Sequence, residues 1–129
     1  MQGRLIIPGL SIATDIDLLV DTGADCSCLH PTDGMRVRVP YGNLSNPLSI
    51  GGIGGNHNFF REPAALIFAD GKRMRVHAIW LAIATPTPQN MRHPSLLGQD
   101  VLKNWRMTHE PHIARLEFIV KNADLTFNI

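Results

Sequence analysis

What this sequence has little of narrows its function first. Its 129 residues carry a formal net charge of only +1, which removes the electrostatic case for binding nucleic acid or an anionic membrane surface. Long hydrophobic runs are missing as well. The longest uncharged apolar stretch, Ala78 to Ala84, is far too short to span a bilayer, so no membrane segment is expected. An earlier apolar run, Leu5 to Ala13, is broken by Pro8-Gly9 and followed by Asp15 and Asp17. A signal peptide there would end almost on top of Asp21, and none is expected. Cysteine is scarce: Cys26 and Cys28 are the two present, too close together for an easy disulfide along a strand. Nothing points to an oxidising compartment, and a reducing, cytoplasmic one is the default. The length suits one domain, residues 1–129, with a modest core.

What is there begins with Leu18-Leu19-Val20-Asp21-Thr22-Gly23-Ala24-Asp25. Three apolar residues read as a buried strand that runs straight into an acid, a hydroxyl and a glycine. A carboxylate at the end of an apolar strand is costly to bury unless it is paired, hydrogen-bonded or used. Gly23 permits a sharp turn, and the Thr22 hydroxyl can anchor it. One reading is an ordinary strand-to-turn junction capped by the acid; the other is an acid held for chemistry. The octet resembles the active-site motif of aspartic proteases. Its Asp-Thr-Gly-Ala-Asp form resembles that of the retroviral type, the retropepsins.

Two further stretches carry the same resemblance. In Leu48-Ser49-Ile50-Gly51-Gly52-Ile53-Gly54-Gly55-Asn56, four glycines surround one isoleucine. No Lys-Ser/Thr follows and no helix is expected after it, so this is not a phosphate-binding loop. It resembles the retropepsin flap, a hairpin that closes over bound peptide. The resemblance implies Ile53 at the tip, with Ile50, Gly51 and Gly52 meeting the substrate main chain as an added strand. In Ser95-Leu96-Leu97-Gly98-Gln99-Asp100-Val101-Leu102-Lys103-Asn104-Trp105, a short apolar strand precedes Val101, Leu102 and Trp105 on one face of a helix of about two turns. It resembles the apolar-apolar-Gly-Arg-Asn/Asp element of the family. Gln99 stands where an arginine is usual; that arginine pairs with the acid matching Asp25 and ties the turn to the partner subunit. Gln99 carries no charge but can still donate a hydrogen bond.

The remaining segments read as β-structure. Residues 3 to 20 suggest a hairpin, with Ile16, Leu18 and Val20 on one face and Asp17 and Leu19 on the other. Asp25 to His30 alternates as a strand closed by Pro31, placing Cys26, Cys28 and His30 on one face. No fourth ligand follows at suitable spacing, and no metal or other cofactor is expected. Residues 31 to 47 read as loop with one short strand, Met35 to Val39, whose Arg36 and Arg38 form a solvated face. Asn58 to Ala69 and Lys72 to Ala84 read as two long strands joined by Asp70-Gly71, with Arg73 and Arg75 on a solvated face. Thr85 to Pro94 is loop, either overhanging a cleft or serving as an ordinary linker. Arg106 to His109 and Ala114 to Val120 suggest a second hairpin around Glu110-Pro111-His112. A turn at residues 121–124 then leads to a last strand, Leu125 to Ile129.

The resemblance therefore implies an all-β, retropepsin-like acid protease fold: a closed, barrel-like sheet, a flap hairpin and one short C-terminal helix. It implies an aspartic endopeptidase that cleaves polypeptide. Asp21, Thr22 and Gly23 would form the catalytic turn, and Ala24, Asp25, Cys26, Cys28, Ile50, Gly51, Gly52, Ile53 and Leu96 would bind substrate. Such chemistry needs two carboxylates sharing one proton. Asp-Thr-Gly occurs once here, so the second acid would come from a second copy in a two-fold homodimer. Chain ends in the family interleave between subunits, and this tail is longer than the minimal one. A serine or threonine in place of Ala24 would hydrogen-bond a carboxylate and favour its ionised form. Alanine implies an optimum less acidic than pepsin's, above about pH 3. The alternative is a catalytically weak dimerisation or peptide-binding module on the same fold.

Overall fold

The alternating apolar residues near the N-terminus do form a hairpin. In the computed structural model, which describes residues 1–48, 59–110, 115–120 and 123–128, β1 (Gln2–Ile7) pairs antiparallel with β2 (Ile12–Asp17), from Gln2↔Asp17 to Ile7↔Ile12. Leu5, Ile7, Ile12, Ile16 and Leu18 are buried, while Asp15, Asp17 and Leu19 face out. The hairpin ends at Asp17, and β3 (Leu19–Val20) leaves to pair elsewhere.

The centre of the sheet is a long antiparallel pair, β5 (Phe59–Asp70) and β6 (Arg73–Ala84), in register from Phe59↔Ala84 to Asp70↔Arg73. The turn is thus Gly71-Lys72, one residue later than the expected Asp70-Gly71. Gly71 has φ +61°, which glycine adopts without strain. Leu66, Phe68, Leu81 and Ile83 fill the inner face, where Leu29, Leu97, Val101 and Trp105 meet them.

Arg75 corrects a second expectation: it is not on a solvated face but 9% exposed. Its Nε donates to Asp70 Oδ2 (3.1 Å), Nη1 to Thr126 Oγ1 (3.2 Å) and Nη2 to the Val120 carbonyl (3.4 Å). Alternation at Arg73-Met74-Arg75-Val76 shows which residues share a face but not which face is covered. Beside Arg75 on the inner face lies His77, 1% exposed. It accepts a hydrogen bond at Nε2 from Trp105 Nε1 (3.2 Å), and its Nδ1 has no partner among the described residues.

The eight-stranded sheet runs β2-β1-β5-β6-β4-β7-β3, where β4 is Cys28–Leu29 and β7 is Leu96–Leu97. It curls into a half-barrel, so the closed barrel is present only in part. The last strand, β10 (Leu125–Asn128), pairs with β6 of its own chain, from Leu125↔Val76 to Asn128↔Arg73. The expected second hairpin is present as a separate two-stranded sheet, β8 (Trp105–Glu110) with β9 (Arg115–Val120).

Two helical expectations also change. Met35 to Val39 is not a strand: α1 spans Pro31–Arg36. Pro31 sits in its first turn, where its missing N–H costs nothing, with Asp33 in the first turn and Arg36 in the last. Asp33 is also held by Ser95 Oγ (2.6 Å) and by Arg36 (3.1 Å). These contacts outweigh the strand preference of Val37 and Val39. The expected two-turn helix is one turn, α2 (Gln99–Leu102), since Trp105 already belongs to β8. No helix among the described residues is long and apolar enough to cross a membrane.

Candidate active site

Asp21 follows β3, which lies parallel to β7 in the register Leu19↔Leu96 and Val20↔Leu97. Backbone bonds from Leu19 N to the Ser95 carbonyl and from Asp21 N to the Leu97 carbonyl, both 2.9 Å, fix the acid's main chain. The chain then turns back on itself. Asp21 Oδ1 accepts the Gly23 N–H (3.0 Å), and the Asp21 carbonyl accepts the Ala24 N–H (3.2 Å). Asp21 and Ala24 are half-buried, and Thr22, Gly23 and Asp25 are exposed. No cation pairs with Asp21 among the described residues. The strand-to-turn reading and the presented acid are the same geometry: a carboxylate at the end of a braced strand, with its outer side open.

The bracing comes from the far end of the chain. Gln99 N and Asp100 N donate to the Ala24 and Asp25 carbonyls at 2.8 and 3.2 Å. The Asp100 carboxylate accepts from both Ser27 N (2.9 Å) and Ser27 Oγ (2.8 Å), and Ser27 Oγ accepts the Gly98 N–H (3.0 Å). Gln99 Nε2 donates to the Thr22 carbonyl at 2.9 Å. The segments lie so close that a Cβ on Gly98 would stand 2.6 Å from the Cys26 carbonyl carbon and 2.9 Å from the Ala24 oxygen. Glycine is therefore required at 98 by contact rather than by backbone angle. Ser27, fully buried, and Asp100 were missed in the sequence. A small polar residue between two cysteines and an acid opening a helix carry no local signal that they meet across 73 positions.

Behind the turn lies a small apolar cluster. Cys28, Ala82 and Ala84 are buried, with Cys26, Leu48, Phe59 and Leu96 partly exposed around them. Cys26 and Cys28 are free thiols. Burial pushes the Cys28 thiol up to about 12, helped by Cys26 and opposed by a hydrogen bond with the Ala84 backbone. Burial also raises Cys26, and Asp100 and Asp25 add to it. Both stay protonated near neutral pH, so neither serves as a thiolate nucleophile. The expected strand over Asp25 to His30 shrinks to Cys28–Leu29 because the preceding residues form the braced turn. His30 is buried, its Nδ1 lying 2.8 Å from the Pro94 carbonyl and its Nε2 4.0 Å from Cys28 Sγ. Burial lowers its pKa foremost, and His93 lowers it further; the Pro94 bond and Asp33 oppose this.

Ile50, Gly51, Gly52 and Ile53 lie outside the described residues. The segments flanking them are paired: Leu48 N donates to the Phe59 carbonyl and Arg61 N to the Asn46 carbonyl, both at 2.9 Å, with an antiparallel bridge between Pro47 and Phe60. Leu96, Cys26 and Cys28 meet in one cluster next to the Asp21 turn, whereas Asp25 faces solvent beside it. A groove of about 580 Å³ elsewhere on the sheet is lined by Gln2, Arg4, Asp15, Ile67 and Met74, among others, and includes no residue of the turn.

The sequence matches the model of the family described as retroviral aspartyl protease over residues 4–109. The fold resembles the crystal structure of a retropepsin-like aspartic protease from Rickettsia conorii. The TM-score is 0.51 at 18% identity, covering 90% of this chain and 78% of that one; at that identity the likeness concerns the fold alone. Comparison with curated proteins finds none that matches.

Proposed function

Since the chain belongs to the retroviral aspartyl protease family, we propose that it is an aspartic endopeptidase whose active site forms when two copies bring their Asp21 side chains together. The observation that carries this reading is the Asp21 turn itself. The acid is half-exposed, unpaired by any described cation, and held by bonds from residues 97–100 and from its own turn. Such an arrangement keeps a carboxylate in place while leaving it open to a second one. Two carboxylates about 3 Å apart do not both ionise, so the pair shares a proton.

The ionised Asp21 takes a proton from a bridging water as that water attacks the peptide carbonyl. The protonated Asp21 hydrogen-bonds the carbonyl oxygen, stabilising charge that develops there. Thr22 and Gly23 hold the turn. Ala24 and Asp25 flank an extended substrate, and the cluster of Cys26, Cys28 and Leu96 accepts one of its apolar side chains. Ile50, Gly51, Gly52 and Ile53 close over the main chain by strand addition.

The test is cleavage of a peptide library by the wild type and by Asp21→Asn, with the mass in solution measured for both. Cleavage by a wild-type dimer, abolished in a variant that still dimerises, supports the reading. Equal cleavage by both proteins overturns it. Peptide binding by the wild type without cleavage would assign the chain to a binding module instead. Inhibition by a statine-type transition-state mimic gives a second, independent readout.

A further inference from the structure

We propose that His30 is a positioning residue for the substrate pocket, a latch that holds the 85–94 loop closed while its ring is neutral and releases it in acid. The inference rests on the reading above, in which the cluster around Cys28 takes an apolar side chain of the peptide.

The loop leaves from that cluster and returns to it. Ala84, the residue before the loop, and Leu96, two after it, both belong to the cluster. Between them the loop is tied to itself through Asn90. Its Oδ1 accepts the Thr87 N–H (2.9 Å), its Nδ2 donates to the Thr85 carbonyl (2.9 Å), and its own carbonyl accepts the His93 N–H (3.2 Å). Two side chains beyond β4 then fasten the loop to the body of the protein. Thr32 Oγ1 donates to the Met91 carbonyl (2.9 Å), and His30 Nδ1 lies 2.8 Å from the Pro94 carbonyl. A carbonyl only accepts, so the neutral His30 ring carries its proton at Nδ1.

His30 touches the pocket wall as well. Its Nε2 lies 4.0 Å from Sγ of Cys28, on β4. With the proton at Nδ1, Nε2 is a bare acceptor facing the Cys28 S–H. A second proton replaces that acceptor with an N–H facing sulfur, a poor partner. The His30 backbone is fixed on both sides: its N–H donates to Ser95 Oγ (3.0 Å), and its carbonyl accepts the Asp33 and Gly34 N–H groups (3.1 and 2.9 Å). Strain at the ring is therefore relieved by the ring and the loop above it.

The titratable groups around the ring, among the described residues, favour the neutral form. His93, on the loop, stands edge-on with ring centroids 5.4 Å apart and disfavours a charged neighbour. Cys28 stays protonated and offers no counter-charge. Asp33, on α1, attracts the charged ring, but it already receives Ser95 Oγ and Arg36. Burial weighs most against the charged form. Lifting the loop returns the ring to water and removes His93, so the open form takes up the proton more readily. By linkage, a proton that prefers the open form shifts the loop toward it. The latch is closed above about pH 6.5, the ordinary histidine value, and opens as pH falls below it.

The test is steady-state cleavage of a peptide library between about pH 7.5 and 5, where the proteins remain folded. For the wild type, KM should rise on the order of fivefold toward acid. His30→Asn keeps a donor for the Pro94 carbonyl and cannot charge, so its KM should stay level while kcat follows the wild-type profile. Thr32→Val removes the other tie without touching the ring. NMR titration of the His30 ring should then show its midpoint moving up toward the ordinary value, and the rise in KM should move with it. An acid rise in KM that persists in His30→Asn overturns the latch. So does a His30 midpoint unchanged by Thr32→Val, which decides the matter even where His30→Asn does not fold. Absence of cleavage by the wild type at every pH overturns the protease reading and the pocket's role with it, while the NMR midpoints still decide whether His30 holds the loop.

Discussion

Gln99 Nε2 donates a 2.9 Å hydrogen bond to the carbonyl oxygen of Thr22, joining residues 77 positions apart at the candidate active site. The family's arginine at this position pairs with an acid; here a neutral amide holds the turn through its backbone. Gln99→Ala should lower stability by about 0.5–1.5 kcal/mol, toward the lower end because the bond is exposed. It should also reduce turnover more than it changes KM, because the loosened turn carries Asp21. Unfolding in urea and steady-state peptide kinetics check both parts; unchanged turnover would separate the bond from catalysis.

Ser27 and Gly98 should be the least replaceable small residues in the frame. Ser27→Ala leaves the Gly98 N–H without its acceptor and removes one donor to Asp100, both at a buried position. A loss of about 1–3 kcal/mol follows. Gly98→Ala drives a methyl into the Cys26 and Ala24 backbone and should cost on the order of 2–3 kcal/mol. Equilibrium unfolding of each variant tests the ranking. A Gly98→Ala protein of wild-type stability would show that the two segments part more easily than their contacts imply.

His77 predicts an acid-sensitive fold. Its Nε2 accepts from Trp105, so the ring's one proton sits on Nδ1, and a second would place charge in a buried site beside Arg75. Burial is the chief cause of its lowered pKa and Arg75 adds to it; Asp124 and Asp100 act the other way. The unfolded chain takes up the proton at the ordinary value of about 6.5, the folded chain only at lower pH. Stability is therefore greatest above about pH 6.5 and falls as pH drops from there to the folded pKa, below which this contribution is constant. His30 shifts in the same direction and adds to the effect. His77→Gln keeps an acceptor for Trp105 and should flatten the profile. Urea midpoints measured between about pH 7.5 and 5 decide it; parallel slopes for both proteins would assign the effect elsewhere.

The two thiols should be inert while the protein is folded. With Cys28 pushed up to about 12 and Cys26 raised, iodoacetamide at neutral pH should label the native protein far more slowly than the urea-unfolded one. Mass spectrometry of the alkylated peptides reads this directly. Rapid native labelling of Cys28 would contradict the burial.

What the sequence discloses follows from how local each cause is. The Asp21 turn, the two N-terminal strands, the β5–β6 pair and the β8–β9 hairpin are written in neighbouring residues: alternating apolar positions, an Asp-Thr-Gly, a glycine after an aspartate. The helix at Pro31–Arg36 was hidden because Val37 and Val39 mimic a strand, whereas its support comes partly from Ser95, distant in sequence. Arg75 looked solvated for a related reason, since the strand that covers it begins 50 positions later, at Leu125. The Ser27–Asp100 clasp leaves no local mark at all.

That clasp bears on the order in which a growing chain acquires its chemistry. The residues that hold the Asp21 turn, Ser95 to Asp100, are made some seventy positions after the acid itself. A nascent chain shorter than this has its acid and no frame to aim it. Contacts of such long sequence separation are slow to form, so the Asp21 turn gains its frame only after residues 95–100 have been made and have packed against it.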